Sequence, residues 1–475
     1  MQKSPVLAVM LSIFFLSLNA QKKTADVLKQ LDSKSENYAQ IAQEIWNLAE
    51  MGYQEEESAA LLQKTMADAG FTITTGVAGI PTAFIAEYGS GKPIIGILGE
   101  YDALPGLSQQ AVPEKQTAGK TAGHACGHHL FGTASAAAAI ATKDWLAANK
   151  MEGTIRFYGT PAEEGGGAKV YMSREGLFDD VDVALHWHPG SQNAASAAAA
   201  LSNISAKFRF YGVSAHAAGA PEKGRSSLDG IEAMNNMVNL MREHIPQETR
   251  IHYVITDGGK APNVVPDFAE AYYYARHNSR DVVRSIFDRI VKAAEGAALG
   301  TGTTVDYEIV NGVHELLPNL TLQKVVHNNL SKVGGIEYTQ EEKIFADKIA
   351  VSLGEESADL ETAKNVQPYK ETARAYGSTD VGDVSFVVPT VGFSTATWVP
   401  GTAAHSWQAV AAGGTTIGNK GMMIAAKTLT LTAIDLFKDK TLVSTAQKEF
   451  VERRGADFKY TPLLGDRAPA LDYRN

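Results

Sequence analysis

Short apolar runs alternate with helical patterns along the first part of the chain. Apolar residues at helical spacing predict helices over residues 38–48 and 61–69, and an Ala-rich stretch over 130–148 predicts a buried helix. The strand-like runs lie at residues 82–87, 94–100, 154–159 and 181–187. Helices that alternate with short apolar strands are typical of a mostly parallel sheet covered on both faces. We therefore expect an α/β fold with a mostly parallel sheet flanked by helices.

The order of elements changes at residue 204. From there the pattern reads strand, helix, strand, strand, helix, strand, which is the ferredoxin-like unit. We predict an inserted ferredoxin-like α+β domain over residues 204–314, which interrupts a larger domain made of residues 21–203 and 315–475. After the insertion, the pattern predicts helices over 316–333 and 340–351, a strand over 385–393 and a last amphipathic helix.

The first 20 residues have the pattern of a signal peptide. A short basic start precedes an apolar run from Val6 to Leu18, and Ala20 ends a small-residue cleavage site. The apolar run is too short to span a bilayer, and no later run reaches about 18 residues. We expect cleavage after residue 20 and an exported protein, periplasmic or secreted, without membrane attachment. An uncleaved anchor is the alternative.

Composition indicates an ordinary globular enzyme. Hydrophobic residues make up 44% of the chain and charged residues 20%, which argues against disorder. The formal net charge is -10 and no basic cluster occurs, so nucleic acid is excluded as an expected partner. A chain of 475 residues is too long for one core, in agreement with two domains.

Cys126 is the only cysteine of the chain and lies in the segment AGHACGHHLFG, beside three histidines. It has no partner for an internal disulfide, and in an oxidising compartment coordination protects a free thiol. A Cys-x-His pair can offer thiolate and imidazole to one cation or to two adjacent ones. The sequence therefore predicts that Cys126 is a metal ligand, with an inert buried cysteine as the alternative.

Metal-capable side chains occur in five separate segments. Four of them follow predicted strands, whose carboxyl ends meet at one edge of a parallel sheet. The segments are GEYDALPG with Glu100 and Asp102, AGHACGHHLFG with Cys126 and His128, GTPAEEGGG with Glu163 and Glu164, LHWHPG with His186 and His188, and PGTAAHSWQ with His405. A Glu-Glu pair alone is usually solvated and a single histidine usually packs, but five such segments in order favour one site.

These segments, together with LFGTA and GSTDVGDVS, resemble those of the co-catalytic two-metal aminoacylase/carboxypeptidase-G-type peptidases, in their amidohydrolase branch, from Gln40 to Lys438. The resemblance implies a metal-dependent exopeptidase fold with an inserted dimerisation domain, a homodimer, and two divalent ions, zinc or manganese. It also implies hydrolysis of a small N-acyl amino acid with a free carboxylate, aminobenzoyl-glutamate being the first candidate. A dipeptidase or N-acyl amino acid deacylase is the alternative, and a non-catalytic binding protein is a remote one.

The same resemblance implies a set of metal ligands. Cys126 would bridge the two ions, His128 and His186 would complete one ion, and Glu164 and His405 would complete the other. In this set the two neighbouring carboxylates of the Glu-Glu pair have different roles. One binds a cation, and the other is free to take a proton from water.

The resemblance also implies roles outside the ligand set. Glu163 would be the general base, and Asp102 would orient the metal cluster. His216 would reach the active site of a neighbouring subunit and stabilise the developing oxyanion. Asn263 and Arg276 would bind the substrate carbonyl and carboxylate. A loop histidine, a turn asparagine and a solvated strand-end arginine are the respective alternatives.

Two histidines depart from the family pattern. His129 stands where many relatives have an acidic residue, and His188 stands two residues after His186, where an aromatic residue is common. Whether either joins the site is left open by the sequence.

Overall fold

A computed structural model describes residues 24–374 and 377–474 of the chain. The predicted signal segment 1–20 lies outside the described residues. Within the described part of the chain, every helix is too short or too polar to cross a membrane.

The chain before the insertion forms most of the larger domain. After helical residues 24–33, its helices are α1 (Ser35–Leu48), α2 (Glu56–Asp68), α3 (His128–Asn149) and α4 (Ala168–Arg174). Its strands are β1 (Thr72–Thr75), β2 (Phe84–Ser90), β3 (Ile94–Gly99), β4 (Leu104–Pro105), β5 (Ala122–Gly123), β6 (Gly153–Gly159), β7 (Val183–Leu185), β8 (His188–Gly190) and β9 (Ala198–Ala199).

The inserted domain has the predicted ferredoxin-like order. Its elements are β10 (Ser202–Tyr211), α5 (Ser227–Met241), β11 (Arg250–Asp257), β12 (Phe268–His277), α6 (Arg280–Thr301) and β13 (Thr304–Val313). The four strands form an antiparallel sheet in the order β11-β12-β10-β13. Alternate residues of β12 are buried, and the two helices pack on that face to form a core separate from that of the larger domain.

The chain after the insertion completes the larger domain. Its elements are α7 (Leu320–Val333), α8 (Gln340–Ser352), α9 (Leu360–Lys364), β14 (Ala373–Arg374), α10 (Val381–Ser385), β15 (Thr390–Val391), β16 (Ser394–Ala396), α11 (Trp407–Gly413), α12 (Thr416–Lys438) and α13 (Lys440–Arg454). The strand predicted over 385–393 is wrong, because only two residues of that run are extended. Val384 and Val388 are buried from a helix and the turn after it, and periodicity does not distinguish a short buried strand from such a segment.

The main sheet has six strands in the order β1-β2-β6-β3-β7-β15. Strands β6, β3, β7 and β15 are mutually parallel, and only β2 runs against the rest. Ile95 and Ile97 of β3 face the core formed with α3 and α12, while Ile94 and Leu98 face a second core with α4 and α10. The sheet is therefore covered on both faces, and the predicted fold class is confirmed.

Helix α3 approaches the end of β3 closely because Gly132 has no side chain. A Cβ at Gly132 would lie only 2.7 Å from the carbonyl oxygen of Glu100. This approach brings the first residue of α3, His128, beside the carboxyl end of the strand.

Replacement of Gly132 by alanine should therefore force the helix away from the strand. We expect Gly132→Ala to lower the free energy of unfolding by about 1–3 kcal/mol, as overpacking does. Gly300→Ala is the matched control, since a Cβ there meets nothing within 4 Å and the substitution should be neutral or stabilising. Urea unfolding of both variants measures the difference, and equal effects would contradict a close helix-strand contact.

Candidate active site

Five of the metal-capable side chains form two groups at the carboxyl edge of the main sheet. Ligand atoms of Cys126, His128 and His188 lie within 4.8 Å of one another, and so do those of Cys126, Glu164 and His405. Cys126 belongs to both groups. Its sulfur is therefore placed where a ligand shared by two cations has to be.

Asp102 connects the two groups. His128 Nδ1 lies 2.8 Å from Asp102 Oδ1, so its other ring nitrogen is the one available to a cation. The second carboxylate oxygen of Asp102 accepts a hydrogen bond from the backbone N–H of Glu164 at 2.8 Å. One buried carboxylate thus orients a histidine of the first group and the backbone of a glutamate in the second.

His405 is held in an unusual backbone conformation. Its φ is +60°, in the left-handed region that costs energy for a residue with a side chain. Its N–H donates to the carbonyl of Ala125 at 3.0 Å, and its Nε2 lies 3.3 Å from Glu164 Oε1. The segment that contains Cys126 therefore also fixes His405.

The structure brings His188, and not the predicted His186, into the group with Cys126 and His128. Strand β7 ends at Leu185 and the chain begins a separate ladder at His188, which sets His188 Nε2 3.4 Å from Cys126 Sγ. His186 Nε2 instead faces Gly392, where a Cβ would lie 2.2 Å from it. The turn of the backbone between β7 and β8 therefore brings His188, rather than His186, close to Cys126.

His129 does not join either ligand group. Its Nε2 lies 3.0 Å from the carbonyl oxygen of Gly413, and its ring packs on that of His124, with centroids 4.9 Å apart. His124 Nε2 lies 3.0 Å from the carbonyl of Ile45. Burial lowers the pKa of His124 to about 4 and that of His129 well below its ordinary value, so both are neutral packing residues.

The ligand groups fit positively charged ions. His128 Nε2, Glu100 Oε2 and Glu164 Oε1 are buried and make no hydrogen bond of acceptable geometry to the described residues. Burial raises the pKa of the Cys126 thiol well above its ordinary value, and the charge of Glu164 raises it further. A thiolate at this place therefore needs nearby positive charge, which two divalent cations would supply.

Glu163 lies beside these groups, within 4.8 Å of ligand atoms of Glu100 and His128. Burial raises the pKa of Glu163 well above its ordinary value, and the carboxylates of Glu100 and Glu164 raise it further. A carboxyl group with a raised pKa suits transfer of a proton near neutral pH.

Lys169 is a buried cation of the site that the sequence did not reveal. Its Nζ lies 2.7 Å from both Glu100 Oε1 and Asp380 Oδ1. Burial lowers the pKa of Lys169, but the charges of Asp380 and Glu100 outweigh burial and raise it. A signal for both partners was present, because Lys169 follows the three glycines of GTPAEEGGG and Asp380 lies in GSTDVGDVS.

The turn that carries Glu163 and Glu164 is held by buried polar groups. Glu55 Oε1 accepts from the N–H of Ala162 at 2.7 Å, and the hydroxyl of Tyr53 donates to the carbonyl of Gly166 at 2.8 Å. Glu55 was also missed by sequence reasoning, since nothing near it in the sequence suggests a site.

The predicted residues of the inserted domain lie apart from the ligand groups. His216 and Asn263 are exposed, and His216 Nδ1 accepts from the N–H of Gly219 at 3.0 Å. Arg276 stands at the end of β12 with its guanidinium 5.2 Å from the ring centre of Tyr274. Arg276 Nε is buried and makes no hydrogen bond to the described residues.

A cavity of about 500 Å³ opens beside the ligand groups. Glu100 and His188 line one side, and Gln323 and Lys370 lie elsewhere on its wall. This volume is that of a small-molecule site.

Comparison with known proteins agrees with this architecture. A model of the peptidase dimerisation domain matches residues 200–301, which cover most of the inserted domain. A p-aminobenzoyl-glutamate hydrolase subunit of Escherichia coli (strain K12) is 43% identical over 468 residues, which cover 93% of this chain and 97% of that relative. The human Xaa-Arg dipeptidase is 29% identical over 446 residues, which cover 88% of this chain and 90% of that relative.

Solved structures share the fold at low identity. An aminobenzoyl-glutamate utilization protein from Klebsiella pneumoniae matches with a TM-score of 0.60 and 16% identity, over 86% of this chain and 97% of that one. A dinuclear metal binding peptidase of Bacillus subtilis, from the M20 family, matches with a TM-score of 0.58 and 16% identity, over 86% of this chain and 99% of that one.

The fold, the inserted dimerisation domain and the grouped ligand atoms define a metallopeptidase-type hydrolase. The 43% identical relative, which covers 93% of this chain, allows a more specific statement. The chain belongs to the M20 peptidase family and is an amide-bond hydrolase. The family and the enzyme class expected from the sequence are confirmed, while the roles of single residues stay predictions.

The position of His188 gives a direct prediction. We expect His188→Ala to weaken the binding of one zinc ion by more than about tenfold, because loss of a ligand exceeds the usual effect of losing an outer partner. His186→Ala is the matched control and should bind zinc as the unaltered protein does. Titration of metal-free protein with zinc measures both. Weakening by His186→Ala alone would return the ligand role to His186.

Proposed function

We propose that this hydrolase is a two-metal enzyme that cleaves the amide bond of a small N-acyl amino acid with a free carboxylate, aminobenzoyl-glutamate or a close analogue. The observation that carries the proposal is the sharing of Cys126 between two ligand groups beside Glu163. The 43% identical relative, part of a p-aminobenzoyl-glutamate hydrolase, supports the substrate class.

The residues of the two ligand groups would hold the ions. Cys126 would bind both, His128 and His188 one, and Glu164 and His405 the other. Thiolate and imidazole favour zinc, and the carboxylate also accepts manganese. When bound, such ions polarise a carbonyl and lower the pKa of water.

Glu163 is the proposed general base of the reaction. It would take a proton from the attacking water and give it to the nitrogen of the leaving amine, so that no net proton remains on the enzyme. Its place beside the carboxylate of Glu100 favours this exchange, because the raised pKa of Glu163 lets one carboxyl group accept and release a proton. Asp102 keeps the ring of His128 and the backbone of Glu164 in place meanwhile.

The inserted domain is proposed to form a homodimer in which His216 serves the partner's site. Val254, Ile255 and Val264 are apolar and exposed on this domain, and Val264 pairs with His216 across an isolated bridge. Exposed apolar side chains on this domain, with Val264 beside the predicted oxyanion residue, support an interface there. Arg276 would bind the substrate carboxylate, with Asn263 at the carbonyl.

A dipeptidase that uses the same residues is the second candidate, supported by the 29% identical Xaa-Arg dipeptidase. We also infer export directed by residues 1–20, on the sequence pattern of that segment.

Substitution of Glu163 tests the proposed reaction. We expect the unaltered protein to hydrolyse aminobenzoyl-glutamate faster than dipeptides that end in arginine, in a panel that includes N-acyl neutral amino acids. Glu163→Gln should keep zinc affinity and lower kcat by about 10²- to 10⁴-fold, the usual contribution of a general base. Exposed Glu356→Gln is the matched control. Substantial turnover by Glu163→Gln would refute the assigned role, and a preference for arginine dipeptides would favour the second candidate.

Mixing two impaired variants tests the shared site. Glu163→Gln and His216→Ala should each have little activity alone. If His216 acts on the partner, a mixed dimer has one site with both residues intact, so an equal mixture should recover about a quarter of the unaltered activity. Subunits are exchanged in mild denaturant and assayed after its removal. Absence of recovery in a mixture that size analysis shows to contain dimers would place His216 outside the partner's site.

A further inference from the structure

The C-terminal segment connects the two domains to the metal site. Residues 463–474, here called the strap, follow the last helix. Leu463 packs in the core of the inserted domain. Leu464 packs in a small cluster with Val313 of that domain and with Tyr53 and Ala162 of the larger one. The strap therefore begins at the junction of the domains.

Arg467 fixes the middle of the strap to β13. Its guanidinium donates to the carbonyls of Ile309 and Val310, the latter at 3.0 Å, and lies 3.0 Å from Glu308 Oε1. Arg174, at the end of α4, donates in turn to the carbonyl of Arg467 at 2.8 Å. The strap is thus attached to both domains before it reaches the site.

The end of the strap contacts the backbone of a proposed metal ligand. The hydroxyl of Tyr473 donates to the carbonyl oxygen of Glu164 at 3.1 Å, and the guanidinium of Arg474 donates to the same oxygen. The ring of Tyr473 packs edge-on against Tyr53, with centroids 5.5 Å apart, and Tyr53 holds the carbonyl of Gly166.

Two glycines leave room for these side chains. A Cβ at Gly52 would lie 2.1 Å from the hydroxyl oxygen of Tyr473. Gly165 has a φ of +101°, and the nearest atoms to a Cβ there belong to Tyr473 at 3.6 Å and Arg474 at 3.9 Å. The larger domain is shaped to receive the end of the strap.

The turn of Glu163 and Glu164 needs such external support. Ala162 has a φ of +55° and Gly165 a φ of +101°, so left-handed residues flank the pair on both sides. A turn of this kind persists only when its surroundings fix it. Asp102 binds the N–H of Glu164, and the strap binds its carbonyl, which leaves only the side chain free to turn.

We propose that Tyr473 and Arg474 are positioning residues of the active site. They hold the Glu164 peptide so that its carboxylate reaches the group with Cys126 and His405. This inference rests on the proposed function, since it assigns Glu164 to a metal ion.

Substitution of Arg474 tests the proposal. We expect Arg474→Ala to weaken the binding of one zinc ion about tenfold and to lower kcat by a similar factor, the effect typical of an outer partner of a metal ligand. KM should stay unchanged, because substrate contacts are intact. Arg474→Lys keeps a donor and should restore most of both losses. Tyr473→Phe, which keeps the ring against Tyr53, should reproduce a smaller loss of zinc affinity.

The control variant is Asp472→Asn, an exposed neighbour in the same strap. It should match the unaltered protein in zinc affinity, kcat and thermal midpoint. Unchanged zinc affinity and kcat in Arg474→Ala would overturn the proposal, and so would a loss that follows only the fraction of folded protein in thermal unfolding. Failure of the proposed function is recognised separately, because the unaltered protein would then bind fewer than two zinc ions.

Discussion

Burying a carboxylate costs several kcal/mol unless a cation or hydrogen-bond donors accompany it. At one edge of the main sheet this protein buries Glu55, Glu100, Asp102 and Asp380, each no more than 1% exposed. Lys169 lies among them and offsets part of the negative charge. Backbone and side-chain donors satisfy Glu55 and Asp102, and the outer oxygen of Glu100 lies 3.1 Å from His128 Nε2. The thiolate form of Cys126, however, depends on further positive charge.

This charge requirement explains why the site depends on elements from the whole larger domain. The cations that the acidic groups need would be held by Cys126 and His128 at the start of α3, by His188 at β8 and by His405 before α11. Each element is placed by ordinary packing, such as the approach of Gly132 to the carbonyl of Glu100. Core packing and metal binding therefore constrain the same backbone.

Much of this arrangement could be predicted from the sequence, because it follows from strand order. Segments after parallel strands must meet at one edge, so strand order is enough to group Asp102 and Glu164. Cys126 instead lies between β5, outside the main sheet, and the start of α3. The choice between His186 and His188 could not be made this way. Both are in one short segment, and the choice depends on where β7 ends and the β8 ladder begins, which is set by pairing with a strand about 200 residues later in the sequence. The strand predicted over 385–393 is wrong for a related reason, since an apolar run does not show whether a neighbouring strand is available to pair with it.

The strap was beyond sequence reasoning for a different reason. Its contacts are hydrogen bonds from side chains to distant carbonyl oxygens, and a carbonyl group leaves no mark in the sequence. Arg467 also ties the strap to β13, and Asn311 Oδ1 lies only 2.7 Å from the position that a Cβ at Gly167 would take. The inserted domain thus contacts the turn of Glu163 and Glu164 both directly and through the strap. Movement of that domain at this junction would shift the carbonyl of Glu164 as well as Arg276, so the proposed substrate and metal contacts are mechanically linked.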